Sequence, residues 1–404
     1  MTRAAPPPVV VGGSMGGLPR LLIGTQFAFN VGFFAVLPYL SAHLTGTLAL
    51  SGWLVGLVLG LRTFSQQGLF VVGGALTDRF GPRPIVLVGC GLRVLGFGWL
   101  GFAQSTWAVV AAVLVVGFAA ALFSPAVESE IARQAVLHEE ATGAGRTRML
   151  GLFNAAGQAG ALIGPVLGAA LLGVGFRFVC LTGAGIFVVI LIAQARLMPR
   201  TRLTRSVVHK VPEGTWGRDR RFLALCLAYG CYLLLYNQLY LALPSEVERA
   251  TGAQTAVGWL FALSSLLVVV GQLPLSRWAA RRLSLRGALH VGLGLMAAGA
   301  LAAALLLPVG AVGGLLPSLA YVVLLTAGQM LVVPAARAWV PDLAGAQRLG
   351  LYTGAMSSLS GVLVLIGAAP LGAVFDLGGP GPWLVLAAVA VVGACCVPRQ
   401  AAVT

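Results

Sequence analysis

Apolar residues in this chain do not alternate with polar ones. They come in long blocks. Runs rich in Leu, Val, Ala, Gly and Phe fall at 18–42, 51–76, 84–104, 107–128, 147–173 and 176–197. A polar stretch occupies 198–220, and six more runs follow at 221–244, 254–280, 286–308, 312–337, 347–375 and 381–397. Each is near the ~20 residues an α-helix needs to cross a bilayer core. Within lipid a backbone must satisfy its own hydrogen bonds, which leaves helices or closed barrels, and continuous apolar blocks without period-two alternation select helices. The pattern predicts an all-α integral membrane protein of twelve transmembrane helices. Residues 1–197 form one six-helix bundle (with a flexible Pro/Gly tail at 1–17), 198–220 a basic cytoplasmic linker, and 221–404 a second six-helix bundle.

Composition narrows the class. Of 404 residues, 58% are hydrophobic and only 9% charged, where soluble domains carry roughly 25% charged residues. No soluble surface could hide that much apolar area. A soluble enzyme, a disordered chain and a coiled coil are therefore excluded. The formal net charge of +15 would suggest nucleic acid in a soluble protein, but here the basic residues sit between apolar runs. With both termini cytoplasmic, 22 of the 26 Lys and Arg fall on that side, Arg177 and Arg249 lie outside, and Arg62 and Arg93 fall within spans. This is the positive-inside asymmetry, so the basic residues set topology in the cytoplasmic (inner) membrane and no nucleic-acid partner is expected. Arg-rich, Lys-poor composition points to a GC-rich bacterial genome. The six cysteines, at 90, 180, 226, 231, 395 and 396, lie in apolar runs and read as buried thiols. The four histidines stand apart, and neither metal nor cofactor is called for. No span carries a nucleophile–base pair, so an enzyme is not expected.

Two segments carry more specific information. Between spans 2 and 3 stands Gly73-Gly74-Ala75-Leu76-Thr77-Asp78-Arg79-Phe80-Gly81-Pro82-Arg83-Pro84. Gly74 is expected to let a neighbouring helix approach, Gly81 to permit a left-handed turn, and Asp78 to pair with the positive end of span 3. Arg79 and Arg83 would face lipid headgroups or a carboxylate. The segment resembles motif A of the major facilitator superfamily, G-x-L-x-D-R-x-G-R/K-x, and the resemblance implies a latch holding the outward-open state. In span 5, Gly160, Gly164 and Gly168 recur at i, i+4 and i+8 with Pro165 among them. Such a face allows close helix packing, and the proline bends the helix. It resembles the antiporter signature G-x-x-x-G-P-x-x-G, motif C, a mark of exporters; a packing face without directional meaning is the alternative. Span 1's Gly32 to Pro38, span 2's Gly60 to Gly68, Gly350 to Gly354 and Phe375 to Gly378 are similar to MdtH-type members of the drug:proton antiporter branch. The resemblance runs from about Leu22 to Gly379. It implies two bundles rocking about a central site, complete in one chain and therefore functional as a monomer.

Polar groups inside the spans are candidates for that site. An arginine at a bilayer centre costs roughly 2.5–3.5 kcal/mol on insertion scales, so Arg62 and Arg93 should face the interior, Arg62 with Gln66 at i+4. None of the eleven acids falls at a span centre. Where proton-coupled exporters of this superfamily commonly place a carboxylate, this chain has Thr25, Gln26, Asn30, Asn154 and Gln158. Glu128 is the candidate proton-coupling residue, with a gate pairing of Glu128 or Glu130 to Arg79 or Arg133 as the alternative. Tyr229, Tyr232, Tyr236 and Tyr240 follow helical spacing and predict an aromatic stripe. The substrate-binding set is Asn30, Arg62, Gln66, Arg93, Tyr232, Tyr236 and Asn237, with Gln272 and Gln329 as further lining candidates. The expected function is proton-driven export of amphipathic small molecules or drugs. Two central arginines without central acids keep an organic-anion exporter open, without proton coupling. A static receptor or scaffold is disfavoured by the two intact motifs.

Overall fold

The computed structural model describes residues 16–142, 146–199, 219–309, 314–344 and 349–399. Residues 1–15 of the expected tail and 200–218 of the expected linker lie outside them. The described residues form helices α1 (Gly17–Gly46), α2 (Gly52–Gln67), α3 (Phe70–Phe80), α4 (Pro82–Phe102), α5 (Thr106–Thr142), α6 (Arg146–Leu172) and α7 (Phe176–Leu197). They continue as α8 (Arg220–Thr251), α9 (Thr255–Arg282), α10 (Leu285–Leu306), α11 (Leu316–Ala344), α12 (Leu349–Asp376) and α13 (Gly381–Cys395). Eleven crossings, with α2 and α3 taken as one, are long and apolar enough to span a membrane, and α13 is a shorter apolar helix.

The second span, expected to be continuous, breaks at Gly68–Leu69. The Ser358 hydroxyl of α12 donates to the Gly68 carbonyl at 2.9 Å, which satisfies an acceptor freed by the break. The fourth span, expected to end at 128, continues as helix to Thr142, so Glu128, Glu130 and Arg133 ride on α5 itself. Cys90, Cys180, Cys226 and Cys231 are buried as expected, whereas Cys395 is exposed and Cys396 half-buried, because α13 ends there.

The packing repeats. In the first half of the chain α1 packs on α6 and α7, α4 on α5 and α7, and α2 on α5. In the second half α8 packs on α12 and α13, α10 on α11 and α13, and α9 on α11. Advancing every crossing by six turns the first set into the second. A shift of 206 residues lays Pro38 on Pro244 and Gly52-Trp53-Leu54 on Gly258-Trp259-Leu260. Between the sets, α2 meets α12 and α6 meets α9, which are again equivalent pairs.

The contact of α12 runs the length of α2 and on to α3, with Ser358 on Gly68 and Gly354 beside Val71 toward one end. Several close cross-contacts lie at the end carrying the α1–α2 turn, which the charge pattern predicts to face outward. Ser41 donates to the Tyr240 carbonyl at 2.5 Å. The backbone N–H of Gly52 lies 2.9 Å from both Asp376 carboxylate oxygens. Gly258 lies so close to α1 and α6 that a Cβ there would sit 2.5 Å from the Tyr39 hydroxyl and 2.8 Å from the Pro165 carbonyl. On α2, Gly52 and Gly56 meet the backbone carbonyls of Gly372 and Ala368.

Candidate substrate cavity and its gates

Helices α1, α6, α8, α9 and α11 surround a cavity of about 230 Å³. Gln26 and Asn30 enter from α1, Asn154 and Gln158 from α6, Tyr236 from α8 and Gln329 from α11, with Phe34, Phe261 and Val268 as apolar patches. Of the predicted binding set, Asn30 and Tyr236 line it, and so does Gln329. Gln272 does not: its amide donates to Ser276 at 2.8 Å and to the Met330 carbonyl at 3.1 Å. Phe34, Phe261 and the α9 serines were missed, because a lone polar or aromatic residue in an apolar run carries no sign of the face it occupies.

Both buried arginines depart from expectation. Arg62 is buried, but its guanidinium donates to Thr63 at 2.8 Å rather than to Gln66, and Thr63 donates to the Asn237 side-chain oxygen at 2.6 Å. This relay joins α2 to α8 outside the residues lining the cavity. The rings of Phe33 and Tyr240 flank the guanidinium at 5.6 and 5.5 Å. Arg93 is fully buried, with its three guanidinium nitrogens lacking hydrogen-bond partners among the described residues. Phe29, Phe33, Phe97 and Phe187 enclose it at 4.8–5.6 Å, each ring offering the negative face of its quadrupole. Neither arginine lines the cavity, so the anion-exporter reading loses the contact it needed.

The tyrosine stripe forms as its spacing predicts. Ring centroids step from Tyr229 to Tyr232 at 5.2 Å, to Tyr236 at 6.2 Å, to Tyr240 at 6.0 Å and on to Phe261 at 5.1 Å. Tyr232 is packed in the core and only Tyr236 reaches the cavity. Gly160, Gly164 and Gly168 press α6 against α1: a Cβ at Gly164 would meet the Val31 carbonyl at 2.8 Å and the Phe34 Cβ at 2.9 Å. The Pro165 carbonyl accepts from the Tyr39 hydroxyl at 2.5 Å.

Across residues 22–368 the chain matches the family model described as Major Facilitator Superfamily. The chain belongs to that superfamily. It is 36% identical over 369 residues to an uncharacterized MFS-type transporter, Rv0849, of Mycobacterium tuberculosis, covering 88% of this chain and 85% of that one. It is 33% identical over 366 residues to the multidrug resistance protein MdtH of Escherichia coli, covering 88% and 87%. In fold it resembles a POT family transporter solved with 5-aminolevulinic acid, with a TM-score of 0.77, 12% identity and coverage of 93% and 94%. It also resembles the nucleoside transporter NupG, with a TM-score of 0.73, 14% identity and coverage of 95% and 98%. This major facilitator is thus a multi-pass membrane transporter and not an enzyme.

The gate residues of this superfamily member are distributed unevenly. Gly81 has φ 88° and joins α3 to α4, as the left-handed turn requires. Gly74 has open space around it, and the close approach falls one residue earlier: a Cβ at Gly73 would lie 3.1 Å from Pro125 of α5 and closer still to the Ala121 carbonyl. Asp78 is exposed and makes no side-chain cap on α4. Arg79 lies over its neighbour Phe80 at 5.2 Å, while Arg83 donates to the Ala195 carbonyl of α7 at 2.6 Å. Glu130 pairs with Arg133 at 2.6 Å and accepts from Gln134 at 2.9 Å. Glu128 stays exposed on α5, with Arg337 of α11 within electrostatic reach.

Proposed function

We propose that this major facilitator exports small molecules across the cytoplasmic membrane by alternating access, in exchange for protons. The observation that carries the reading is a polar cavity between two symmetry-related sets of helices, closed at one end by the α1–α2–α8–α12 seam. In this reading residues 1–197 and 221–404 form the two six-helix bundles, joined by the cytoplasmic linker 198–220, with both termini on the same side. The repeated packing and the shared Gly-Trp-Leu start of α2 and α9 support it. Similarity to MdtH supports a drug or drug-like cargo.

In this reading the seam closes the outward end and the protein faces inward. Asp78 and Arg79 of motif A then form no ion pair among the described residues, as a latch should when the outward-open state is not being held. Glu128 is the proton-exchanging group, and the charge of Arg337 on α11 competes with the proton for its carboxylate. A proton taken up from the outside in the outward-open state neutralises Glu128 and loosens its pairing with Arg337. The cytoplasmic side then opens and the proton leaves to the cytoplasm, and the recharged carboxylate draws back to Arg337 as the halves return with cargo. Gly160, Gly164, Pro165 and Gly168 supply the stiff, bent α1–α6 unit on which each half turns.

The test is flux in proteoliposomes loaded at acidic pH, using a lipophilic cation, an uncharged drug and an organic anion. Proton efflux should drive one of the three inward against its gradient, and nigericin should abolish the effect. Flux that only follows the substrate's own gradient would refute proton exchange. Glu128→Gln should lose the pH-driven component while keeping downhill exchange; undiminished pH-driven transport in that variant would clear Glu128 of the role.

A further inference from the structure

The cavity's chemistry says what it takes. Five carboxamides reach it, Gln26, Asn30, Asn154, Gln158 and Gln329, and among the described lining residues none is Asp, Glu, Lys, Arg or His. The two serine hydroxyls nearby already have partners in the protein: Ser264 pairs with Thr326 at 2.8 Å, and Ser265 donates to the Ala161 carbonyl at 3.1 Å. The five carboxamides have no hydrogen-bond partner among the described residues, and they are absent from the sealed, unsatisfied atoms. Each keeps two donors and a carbonyl acceptor open to whatever fills the space. Gly157 makes room for two of them: a Cβ there would lie 3.0 Å from the Asn30 amide nitrogen and 3.2 Å from that of Gln26.

Building on the transport reading above, we propose that this cavity selects an uncharged solute bearing several hydroxyl or amide groups beside an aromatic or apolar face. Such a solute exchanges its water hydrogen bonds one for one with the carboxamides and lays its apolar face on Phe34, Phe261 and Tyr236. An ion has no counter-charge there to offset its desolvation.

The experiment is equilibrium binding to the full-length protein in nanodiscs, with radiolabelled chloramphenicol as the uncharged amide- and hydroxyl-bearing aromatic, tetraphenylphosphonium as the cation and p-aminohippurate as the anion. Saturable binding of chloramphenicol alone supports the proposal, and Asn154→Leu and Gln158→Met should each weaken it about 5- to 10-fold, the worth of one hydrogen bond. Asn154→Asp adds a charge with little change of shape. It should confer tetraphenylphosphonium binding and lower chloramphenicol affinity, a gain that a misfolded variant cannot show. Preferred binding of either ion by the unaltered protein overturns the proposal, as does the absence of saturable chloramphenicol binding. The transport reading fails separately: bound chloramphenicol that is never moved by proteoliposomes retires transport and leaves the selectivity intact, whereas transport confined to ions does the reverse.

Discussion

Asp376 offers the sharpest perturbation of the closed end. Its two carboxylate oxygens accept from the Gly52 N–H at 2.9 Å, so a carboxylate on α12 sits on the positive N-terminus of α2. Asp376→Asn keeps a carbonyl acceptor in place and removes the charge. A charge at a helix terminus contributes roughly 0.3–1 kcal/mol when exposed and up to ~2 when partly buried. The residue is exposed and the bond part-buried, which sets the loss at about 1 kcal/mol. At ~1.4 kcal/mol per decade, the ratio of outward-open to outward-closed protein should rise about fivefold. The assay is pulsed electron–electron resonance between nitroxides at Ser105→Cys and Ala253→Cys, both on exposed turns at that end, with Cys395 and Cys396 replaced by serine. The long-distance population should grow in Asp376→Asn and grow further in Asp376→Ala, which also loses the acceptor. An unchanged distribution, or a shift toward shorter distances, would refute the idea that this contact holds the end shut.

Other substitutions separate packing from recognition. Arg93→Met removes three unpartnered nitrogens from the four-phenylalanine cage, so substrate binding should stay within ~2-fold and the melting temperature should not fall, since burying such donors costs ~1–3 kcal/mol each; a lost binding site would show that Arg93 reaches the substrate after all. Gly164→Leu should force α1 from α6 against the Val31 carbonyl at a cost of about 1–3 kcal/mol, read as a lowered melting point together with lost transport. Arg337→Gln removes a positive charge that acts on Glu128 and should shrink the pH-driven component of transport while downhill exchange is kept; an undiminished pH-driven component would mean the two groups do not communicate.

Eleven of the twelve apolar blocks were legible as spans because a bilayer tolerates so few backbone solutions that length and hydropathy suffice; the twelfth, α13, is an apolar helix of only 15 residues. The tyrosine stripe was legible for a related reason, since helical spacing alone aligns 229, 232, 236 and 240. What escaped was direction. Gly73 and Gly74 are neighbours about 100° apart on one helix, and nothing local says which of them meets α5. Arg62 and Arg93 had to face inward on energetic grounds, yet the interior offers aromatic cages as well as a cavity, and the phenylalanines that build the Arg93 cage come from α1, α4 and α7. The cavity itself joins Gln26 to Gln329, and no sequence pattern couples residues so far apart. The break at Gly68 was hidden because the residue that satisfies it, Ser358, lies in the other half of the chain.

The glycine seam of α2 on α12 has a consequence for how such a protein can diverge. Where Gly52 and Gly56 lie on the carbonyls of Gly372 and Ala368, any larger residue on α2 collides with main chain, so closure tolerates almost no variation at those positions. The carboxamides of the cavity bond to nothing else among the described residues, so exchanging one for another side chain breaks no hydrogen bond within the protein. Cargo preference can therefore drift by single substitutions while the moving parts stay the same, and lineages sharing this scaffold are free to part company in what they carry long before they differ in how they move.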